Sequence, residues 1–558
     1  MFNRIPQILK SFSRYERYIF LASFLVFIIS SIFLLIKFIN QNTFLVSVSG
    51  GEYREGIIGQ PTFINPVLVG NNDSDRDLTE LIFSDLLDLA ESYKMNSKGA
   101  VWNVRLKENV FWHDGKTITS DDVIFTVRTI QDFDTRSPFF SNWQGVVAER
   151  ISEREVKFIL SAPYAFFEGT LKELKPIPKH LFSDIPAANL KLSNYNLEPI
   201  GSGSFKFDSL QKRRDGFITD YKLIRNENYF GQKPYLDQII FKFFLNNNEL
   251  IEAFNSGVID GFGGVNPKSL TGIKLDYQVF KLIMPRYYAV FFNGNSQPLL
   301  SERNIRLALD LATDRQTIIE EVFLNHAIAA FGPLIPSMEG YSPDIFQENS
   351  LGFEFEEANQ LLDNDGWQVN DEGIREKDFT NGKKEEILKL EFKLVVPEIP
   401  FLTETANIIQ EDWGKIGVKL DLIILQPSDI NNEIIKTRDY EMILFGNIFG
   451  RNPDLFSFWH SSERFYPGLN LSLYDNEEAD ALIESIRESL KEESRQRNLN
   501  KLQLLIIGDQ PAIFLYSPFY FYISKNQLGG FEEKFIPLPS ERFENIERWY
   551  LKTERRFR

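Results

Sequence analysis

The chain has 558 residues, of which 43% are hydrophobic and 25% are charged, and its formal net charge is −17. This length exceeds what one ordinary hydrophobic core organises, so we expect two or three lobes. The acidic balance argues against nucleic acid as a partner, because phosphate-binding surfaces need clustered lysine and arginine. The chain has no cysteine, which excludes disulfides, thiolate metal sites, cysteine nucleophiles and a lipid-modified cysteine near the amino terminus.

An apolar run at residues 18–39 is long enough to cross a bilayer, which takes about 20 residues. The tail before it, residues 1–17, is basic, with Arg4, Lys10, Arg14 and Arg17 against Glu16. This tail is predicted to stay in the cytoplasm, which places everything after residue 42 outside the cell membrane. The alternative is a cleavable signal peptide, whose apolar region has about 7–15 residues and ends at small residues, such as those at 47–51. We favour an uncleaved single-pass anchor, because the run is long and residues 44–46 already resemble a strand.

Three aspartates at alternate positions, Asp73, Asp75 and Asp77, look like the opening of a calcium-binding loop. An EF-hand loop needs glycine at its sixth position and glutamate at its twelfth. This chain has Leu78 and Ser84 at those positions. We therefore interpret the stretch as a solvated turn or a helix cap.

The stretch FWHDGKTITSDDVIFTV, residues 111–127, gathers a histidine and three aspartates around a glycine. Its Asp-Gly pair supplies the positive φ of a hairpin turn. Thr119 or Ser120 then caps a helix, and the aspartates at 121–122 complement the helix dipole in its first turn. With His113 bonding to the backbone of the turn, the stretch is predicted to be scaffold.

Residues 387–424 form the clearest structural unit of the later sequence. Apolar residues alternate with charged ones at 387–396, a helix is predicted at 401–416, and a second alternating strand follows Gly417. A strand, a helix and a strand at this spacing predict a right-handed βαβ unit and a parallel sheet. Apolar residues at helical spacing predict further helices near residues 123–130, 305–312 and 479–490.

The sequence shows no recognisable catalytic or metal-binding constellation. Its four histidines have no ligand spacing to one another: His113, His180, His326 and His460. The glycine-rich segment at 201–205 lacks the Lys-Ser/Thr of a phosphate-binding loop, and no G-x-S-x-G motif occurs. We therefore predict no catalytic residue, no metal ligand, no cofactor and no enzymatic activity. A zinc site assembled from distant segments stays open as an alternative.

A series of short segments resembles the extracellular solute-binding proteins of family 5, the peptide and nickel transport class. The most diagnostic segment, WNVRLKENVFWHDGKTITSDDVIFTV at 102–127, combines a strand, the His-Asp-Gly turn and the capped helix. The others fall in the family's order: REGIIGQPTFINPVL at 54–68, PIPKHLF at 176–182, PIGSGSFKF at 199–207, RNENYF at 225–230, FFNGNSQPLLSERNIRLALDLATDR at 291–315, GPLIP at 332–336, DNDGW at 363–367 and NPDLFSFWHSSE at 452–463. Because these segments keep one order, the resemblance is specific, and it spans nearly all of residues 50–550.

The resemblance implies an α/β, two-lobed, periplasmic-binding-protein-like fold of the clam-shell (type II) kind with an extra inserted subdomain, here preceded by one transmembrane helix. Lobe I is expected to comprise residues 43–85, 199–284 and 508–558, the inserted subdomain 86–198, and lobe II 285–507. Two strands are expected to join the lobes at a hinge. A ligand held between the lobes favours the closed form, because only that form offers it contacts to both.

The function implied is the membrane-anchored substrate-binding component of an ABC importer. It captures oligopeptides or another small solute and delivers them to a permease driven by an ATPase, and a monomer is expected. The resemblance implies ligand contacts at Asn65, Tyr288, Asn293, Gly446, Asn447, Phe449, Trp459 and His460. Two other functions stay open: an extracellular peptide receptor or chaperone on the same fold, and an extracellular hydrolase that uses paired carboxylates.

The chain departs from the family's dipeptide-binding pattern at one position. Dipeptide-binding members hold the peptide's amino terminus with an aspartate a few residues before the Pro-Asp of a lobe II loop. Here that position is Phe449, and the nearest acid is Asp454, which is predicted to cap a helix. An unpaired ammonium in a closed cleft is costly. The ligand is therefore a peptide held through its backbone, a peptide held by another acid, or a different solute.

Overall fold

The structure, a computed structural model, describes residues 13–336, 338–345, 353–381, 384–450 and 452–557. Its first element is the helix Arg14–Asn42, which contains the predicted span at 18–39 and packs no buried residue against the rest of the chain. An 18-residue window of this helix has a mean hydropathy of 2.9. By length and composition the helix can cross a bilayer, although a signal sequence passes the same test. The predicted basic residues Arg4 and Lys10 lie outside the described residues.

Two large mixed sheets form the body. The first has seven strands in the spatial order Tyr277–Leu282, Tyr520–Lys525, Gly261–Gly263, Glu52–Ile58, Gln238–Phe244, Ile218–Arg225 and Phe205–Lys212. The second has six in the order Ala327–Ala329, Ala512–Pro518, Arg286–Phe292, Met442–Ile448, Glu391–Pro397 and Lys419–Leu425. Aliphatic and aromatic side chains from both faces of each sheet are buried in hydrophobic cores. This two-sided burial is typical of sheets covered by helices.

Helices and smaller sheets complete the fold. The body helices of seven residues or more are Asp73–Ile82, Ser120–Gln131, Phe167–Glu173, Asn247–Asn255, Arg303–Leu311, Arg315–Phe323, Phe355–Asn364, Pro400–Lys415, Glu477–Glu488 and Glu492–Asp509. A four-stranded sheet, in the order Ala90–Met95, Val101–Leu106, Glu155–Ile159 and Val147–Ser152, lies in the predicted inserted subdomain. The remaining sheets are Gln368–Val369 with Arg375–Asn381 and Lys384–Lys389, and Thr43–Val48 with Lys552–Phe557.

Two chain crossings join the large sheets, at residues 283–285 and at Phe519. They lie side by side, because Leu282 pairs with Tyr520 at the end of the first sheet. The two-lobed α/β architecture therefore has the two-strand connection that was expected of it.

The strand Ala512–Pro518 lies on the other side of the hinge from its predicted place. Residues 508–558 were assigned to lobe I, but this strand pairs with Arg286–Phe292 in the second sheet. All seven of its residues are buried, so the chain returns to the first sheet only after Phe519. The remaining lobe boundaries stay a prediction.

The predicted βαβ unit has its parallel strands at Glu391–Pro397 and Lys419–Leu425, joined by the helix Pro400–Lys415. The single first strand of the prediction is two strands in the structure, since Lys384–Lys389 belongs to the three-stranded sheet. The chain changes sheets at Leu390, which is fully buried. Apolar alternation continues through this change, so periodicity alone does not reveal it.

The His-Asp-Gly turn is built as a scaffold. Phe111 and Thr117 form an antiparallel bridge across it. His113 accepts the N–H of Gly201 at Nδ1 (3.2 Å), and its Nε2 lies 3.1 Å from the carbonyl oxygen of Gly203. A neutral ring protonated at Nε2 satisfies both contacts. Burial lowers the pKa of His113 to about 4, which keeps the ring neutral at physiological pH.

On acidification from pH 6.5 to pH 4, His113 is expected to lower the free energy of unfolding, whereas buried carboxylates with raised pKa values act in the opposite direction. The unfolded histidine takes up a proton below about pH 6.5, whereas burial keeps the folded ring neutral to about pH 4. The unfolded chain then binds one more proton, which lowers stability by up to about 3 kcal/mol across this window. In denaturant titrations at several pH values, the free energy of unfolding of His113→Gln should rise less steeply with pH, or fall more steeply, than that of the unchanged chain. Equal slopes would contradict the neutral, buried ring.

The aspartates at 73–77 belong to the helix Asp73–Ile82, which Asn72 caps. The predicted helix cap is confirmed, but the solvated environment is not, since Asp75 and Asp77 are 2% and 1% exposed. Asp75 accepts the backbone N–H groups of residues 62 and 63. These carboxylates therefore organise the scaffold rather than a calcium site.

Asp77 belongs to a buried charge cluster beside the core of the first sheet. Arg542 donates from Nη1 to Asp77 Oδ1 (2.9 Å) and from Nη2 to Glu55 Oε1 (2.9 Å). Tyr522 donates its hydroxyl to the other oxygen of Glu55 (2.8 Å). The side chains of Arg542, Glu55 and Asp77 are each at most 2% exposed. One cation therefore compensates two carboxylates that have no access to water.

Candidate functional site

The parallel strands of the second sheet direct their carboxyl ends at the hinge. These strands are Glu391–Pro397, Lys419–Leu425 and Met442–Ile448. Ile448, the last residue of its strand, pairs with Arg286, the first strand residue after the crossing at 283–285. The carboxyl edge of this sheet therefore lies next to the crossing to the first sheet.

The first sheet is oriented in the same way. Its strand Glu52–Ile58 runs parallel to Gly261–Gly263, and Gly263 pairs with Tyr522, three residues beyond the crossing at Phe519. In open α/β sheets, ligands bind outside the carboxyl ends of the strands. The two carboxyl edges thus define a candidate cleft whose base is the hinge.

One face of the second sheet at this edge carries Arg286, Tyr288, Gly446 and Ile448. Arg286 pairs with Ile448 and Tyr288 with Gly446, and both cross-strand partners and alternate residues share a face. A Cβ added at Gly446 would lie 2.7 Å from Cε1 of the Tyr288 ring. Glycine at 446 therefore permits the ring to lie over the neighbouring strand.

Aromatic rings continue this face. The Tyr288 ring packs edge-on against Phe401, with centroids 5.1 Å apart, and contacts Tyr516 at 5.6 Å. The hydroxyl of Tyr516 is engaged with Thr405 Oγ1 (2.8 Å). The hydroxyl of half-buried Tyr288 makes no hydrogen bond within the described part of the chain. This face of the second sheet therefore offers apolar ring surface and one phenol hydroxyl that has no hydrogen bond among the described residues.

Arg286 brings an uncompensated cation to the same face. The residue is half-buried, and its Nε is enclosed without a hydrogen-bond partner. Among the described residues no carboxylate pairs with this guanidinium. An enclosed, unsatisfied donor costs about 1–3 kcal/mol, and more for a charged group. A ligand carboxylate or carbonyl oxygen at this position would remove that cost.

A second group of side chains connects the lobes around Asp454. Its Oδ1 accepts the N–H of Phe456 (3.1 Å), the first residue of the short helix Phe456–Trp459, whose N-cap is Leu455 and not the predicted Asp454. Its Oδ2 accepts the hydroxyl of Tyr164 (2.7 Å), from the predicted inserted subdomain, and lies 3.2 Å from Nε of Arg487. Burial raises the pKa of Tyr164, so the phenol keeps its proton and donates. Asp454 is therefore neutralised by protein groups.

Comparison with known proteins identifies the family. The profile of the bacterial extracellular solute-binding proteins, family 5 (middle region), matches residues 87–465. The chain belongs to this family. It is a solute-binding protein of the peptide-importer class and not an enzyme, as the motifs had predicted.

Relatives of this solute-binding protein match it along most of its length. The oligopeptide-binding protein AppA of Bacillus subtilis is 29% identical over 520 residues, covering 90% of this chain and 92% of AppA. The solved structure of AppA in complex with a nonapeptide has a TM-score of 0.72 at 27% identity, covering 91% of this chain and 100% of that one. The ABC transporter substrate-binding protein CtaP of Listeria monocytogenes has a TM-score of 0.76 at 25% identity, covering 90% and 99%. These matches confirm the two-lobed periplasmic-binding fold.

The structure brings two of the predicted contact residues together, Tyr288 and Gly446. Three others point to the opposite face of the second sheet, into the core. Asn447 donates to the hydroxyl of Tyr287 (2.8 Å), and Phe449 packs against the Tyr287 ring with centroids 5.7 Å apart. Trp459 is fully buried. These side chains therefore belong to the core behind the candidate face.

The remaining predicted residues hold loops in place. Asn65 is 1% exposed and donates to Asn196 Oδ1 (3.0 Å). Asn293 is 2% exposed and donates to the carbonyl oxygens of residues 438 and 440. His460 is 8% exposed, accepts the N–H of Ser462 at Nδ1 (3.1 Å) and stacks on Phe456. Their positions favour a structural role for each in this conformation.

Sequence reasoning missed Arg286. Its local signal is a lone cation after Pro285 at the start of the apolar run YYAVFF. A charge at the start of a buried strand is excluded from the core, which favours a position at the surface or in a cleft. Among the described residues, no group of three or more histidine, aspartate or glutamate side chains is arranged to hold a metal ion.

Proposed function

We propose that this chain is the membrane-tethered solute-binding subunit of an ABC importer for oligopeptides, which it encloses between its lobes and presents to a permease. The observation that carries the proposal is the sheet face with Arg286 and Tyr288 at the carboxyl ends of the strands. Among the described residues, the guanidinium has no carboxylate partner and the phenol hydroxyl has no hydrogen bond. This face offers a cation to a carboxylate, a phenol to backbone groups and aromatic surface to side chains. AppA, whose solved complex holds a nonapeptide, supports an extended peptide as the ligand.

The peptide's amino terminus is recognised without an aspartate at position 449. The Phe449 side chain faces the core, and its N–H donates to the carbonyl oxygen of Pro285 (2.8 Å). Asp454 is committed to Tyr164 and Arg487. We therefore propose that recognition rests on backbone contacts and on a ligand carboxylate at Arg286.

Hinge closure is the proposed binding mechanism. Contacts that span the lobes include two side-chain pairs, Tyr164 with Asp454 and Lys268 with Glu404 (2.7 Å), and a backbone hydrogen bond from the N–H of Ala165 to the carbonyl oxygen of Arg487 (2.6 Å). The second pair is 43% exposed at each side chain and contributes little, because water screens it. The half-buried Tyr164 contact is the stronger brace of the closed form. A bound ligand adds further contacts that the open form lacks and shifts the equilibrium toward closure.

Tyr164→Phe is expected to weaken peptide binding about tenfold, because it removes a hydrogen bond to a carboxylate that forms only in the closed state. Calorimetric titration with a peptide mixture would measure the loss. Tyr93→Phe is the matched control: Tyr93 also donates to a carboxylate, Glu168 (2.8 Å), but both residues lie in the predicted inserted subdomain. Equal affinities of the two variants would count against closure through this contact.

Membrane tethering is proposed over signal cleavage because of the strand after the helix. Thr43–Val48 pairs along its whole length with Lys552–Phe557. Cleavage at the small residues 47–51 would remove this strand. The strand Lys552–Phe557 would then lose all six of its residue pairs with Thr43–Val48. An uncleaved helix keeps the pairing intact, with the lobes on the extracytoplasmic side.

Uptake of a labelled oligopeptide by cells tests this function against its alternatives. Cells that lack this protein should lose uptake, and expression of the full chain in those cells should restore it. Unchanged uptake, with peptide still bound by the isolated chain, would favour the receptor or chaperone. Cleavage of the peptide by the isolated chain would favour the hydrolase.

A further inference from the structure

The residues that follow the apolar helix form a short two-stranded ribbon outside the lobes. The helix Arg14–Asn42 ends where Thr43 donates its N–H to the carbonyl oxygen of Ile39, and Thr43 is already the first ribbon residue. No linker separates the helix from the ribbon. Because the apolar run ends at Ile39 and a helix rises 1.5 Å per residue, Thr43 lies about 6 Å beyond that run.

The register places one end of the second ribbon strand beside the helix. Thr43 pairs with Phe557, Phe44 with Arg556 and Leu45 with Arg555. At about 3.4 Å per residue, Arg555 and Arg556 lie within about 7 Å of the level of Thr43 along the ribbon. This distance is below the Debye length of about 8 Å at physiological ionic strength. Both guanidinium groups are therefore within electrostatic reach of a bilayer surface around the helix end.

The side chains at this end are those of a membrane interface. Phe44, Leu45 and Phe557 are 47%, 59% and 68% exposed, although each is strongly apolar. Arg555 donates from Nη1 to Thr43 Oγ1 (3.1 Å), toward the helix, and pairs with no carboxylate among the described residues. Arg556 is paired with Glu554, the single acid of the ribbon. Exposed aromatic and cationic side chains together suit the headgroup layer, where rings and charges are both accommodated.

The charge of this end is opposite to that of the whole chain. The ribbon carries Lys552, Arg555 and Arg556 against Glu554, whereas the net charge of the protein is −17. An anionic surface repels a protein with this negative net charge. Cations at the part of the protein that meets the surface would reduce this repulsion locally. Basic residues next to a membrane helix bind anionic lipid headgroups.

We infer that the membrane end of this ribbon, Thr43–Leu45 with Arg555–Phe557, binds the headgroup layer, with Arg555 and Arg556 contacting phosphates of anionic phospholipids. The inference rests on the proposed membrane anchor. A single helix leaves the lobes free to pivot, whereas a second attachment beside it fixes the ribbon against the bilayer. The ribbon in turn fixes lobe I, because Gly50 and Gly51 after its first strand donate to Tyr235 and Asp237.

The test uses the full chain in vesicles of 70% phosphatidylcholine and 30% phosphatidylglycerol that carry a headgroup-attached spin label. The chain has no native cysteine, so Leu45→Cys gives a single site for a fluorophore. The reference site is Asp215→Cys, in the turn between Phe205–Lys212 and Ile218–Arg225 at the far end of the first sheet. Quenching at 45 is expected to exceed quenching at 215 at least threefold. It should fall at least twofold with R555Q/R556Q, and also in vesicles of phosphatidylcholine alone.

The matched control K212Q/R214Q removes two cations at the distal turn and should leave the quenching at residue 45 unchanged. Quenching at 45 that does not respond to R555Q/R556Q or to lipid charge would overturn the inference and make the ribbon a plain spacer. Failure of the anchor itself is recognised separately, by release of the chain from the vesicles in alkaline carbonate or by a mass that lacks the residues before a cleavage site at 47–51.

Discussion

Arg542→Met is expected to lower the free energy of unfolding by about 3–5 kcal/mol near neutral pH. The substitution keeps much of the side chain's volume but leaves Glu55 and Asp77, which are at most 2% exposed, without their cation. A substitution that leaves a buried carboxylate without its cation is among the most destabilising changes in a protein core. Urea unfolding of the two proteins would measure the loss.

The variant should regain stability on acidification. Burial raises the pKa of Asp77 to about 7, and raises that of Glu55, even beside Arg542. Without the guanidinium both pKa values rise further, so the folded variant holds protons that the unfolded chain releases above about pH 4. Its stability therefore falls as pH rises through this range and partly recovers at pH 5. Arg548→Met, at an exposed pair with Glu532, is the control and should change stability by at most about 0.5 kcal/mol. A loss at Arg542 no larger than the control's would contradict the buried cluster.

Arg286→Gln is expected to weaken peptide binding by about 10- to 100-fold. A charge-assisted hydrogen bond to a ligand carboxylate contributes about 1.5–3 kcal/mol, and no described carboxylate competes for this guanidinium. Calorimetric titration with peptides bearing a free or an amidated carboxyl terminus would measure the loss. The amidated peptides should bind the unchanged protein more weakly, and the substitution should affect them little.

The control for this substitution is Arg105→Gln, which removes an exposed arginine paired with Glu91 in the four-stranded sheet. That variant should bind both kinds of peptide like the unchanged chain. If Arg286→Gln weakened the free and the amidated peptides equally, the proposed carboxylate contact would be wrong and Arg286 would have a different role.

Local patterns in the sequence predicted the scaffold well. The Asp-Gly turn, the cap at Thr119 and the βαβ helix at 400–415 each depend on neighbouring residues, whose preferences act within one turn or strand. The missed change of sheets at Leu390 depends instead on which distant strand is the partner. Pairing of that kind leaves no trace in the alternation of apolar residues.

The candidate site was harder to predict, because it depends on which way each side chain points. Along Met442–Ile448, Gly446 faces Tyr288 while the next residue, Asn447, points into the core. A shift of one position thus separates a cleft residue from a buried one. Asp454 was predicted to cap a helix and lies one residue before the N-cap Leu455, while its contact with Tyr164 joins residues 290 positions apart. No local pattern reports such a contact.

The most direct test of the proposed peptide binding is native mass spectrometry of the full chain, isolated gently from membranes. The account predicts a series of bound peptides of similar length and mixed sequence, all released by unfolding. After the endogenous ligand is removed, a mixture of oligopeptides should restore the same series. A single non-peptide mass, or a chain that remains empty in the presence of the mixture, would contradict it.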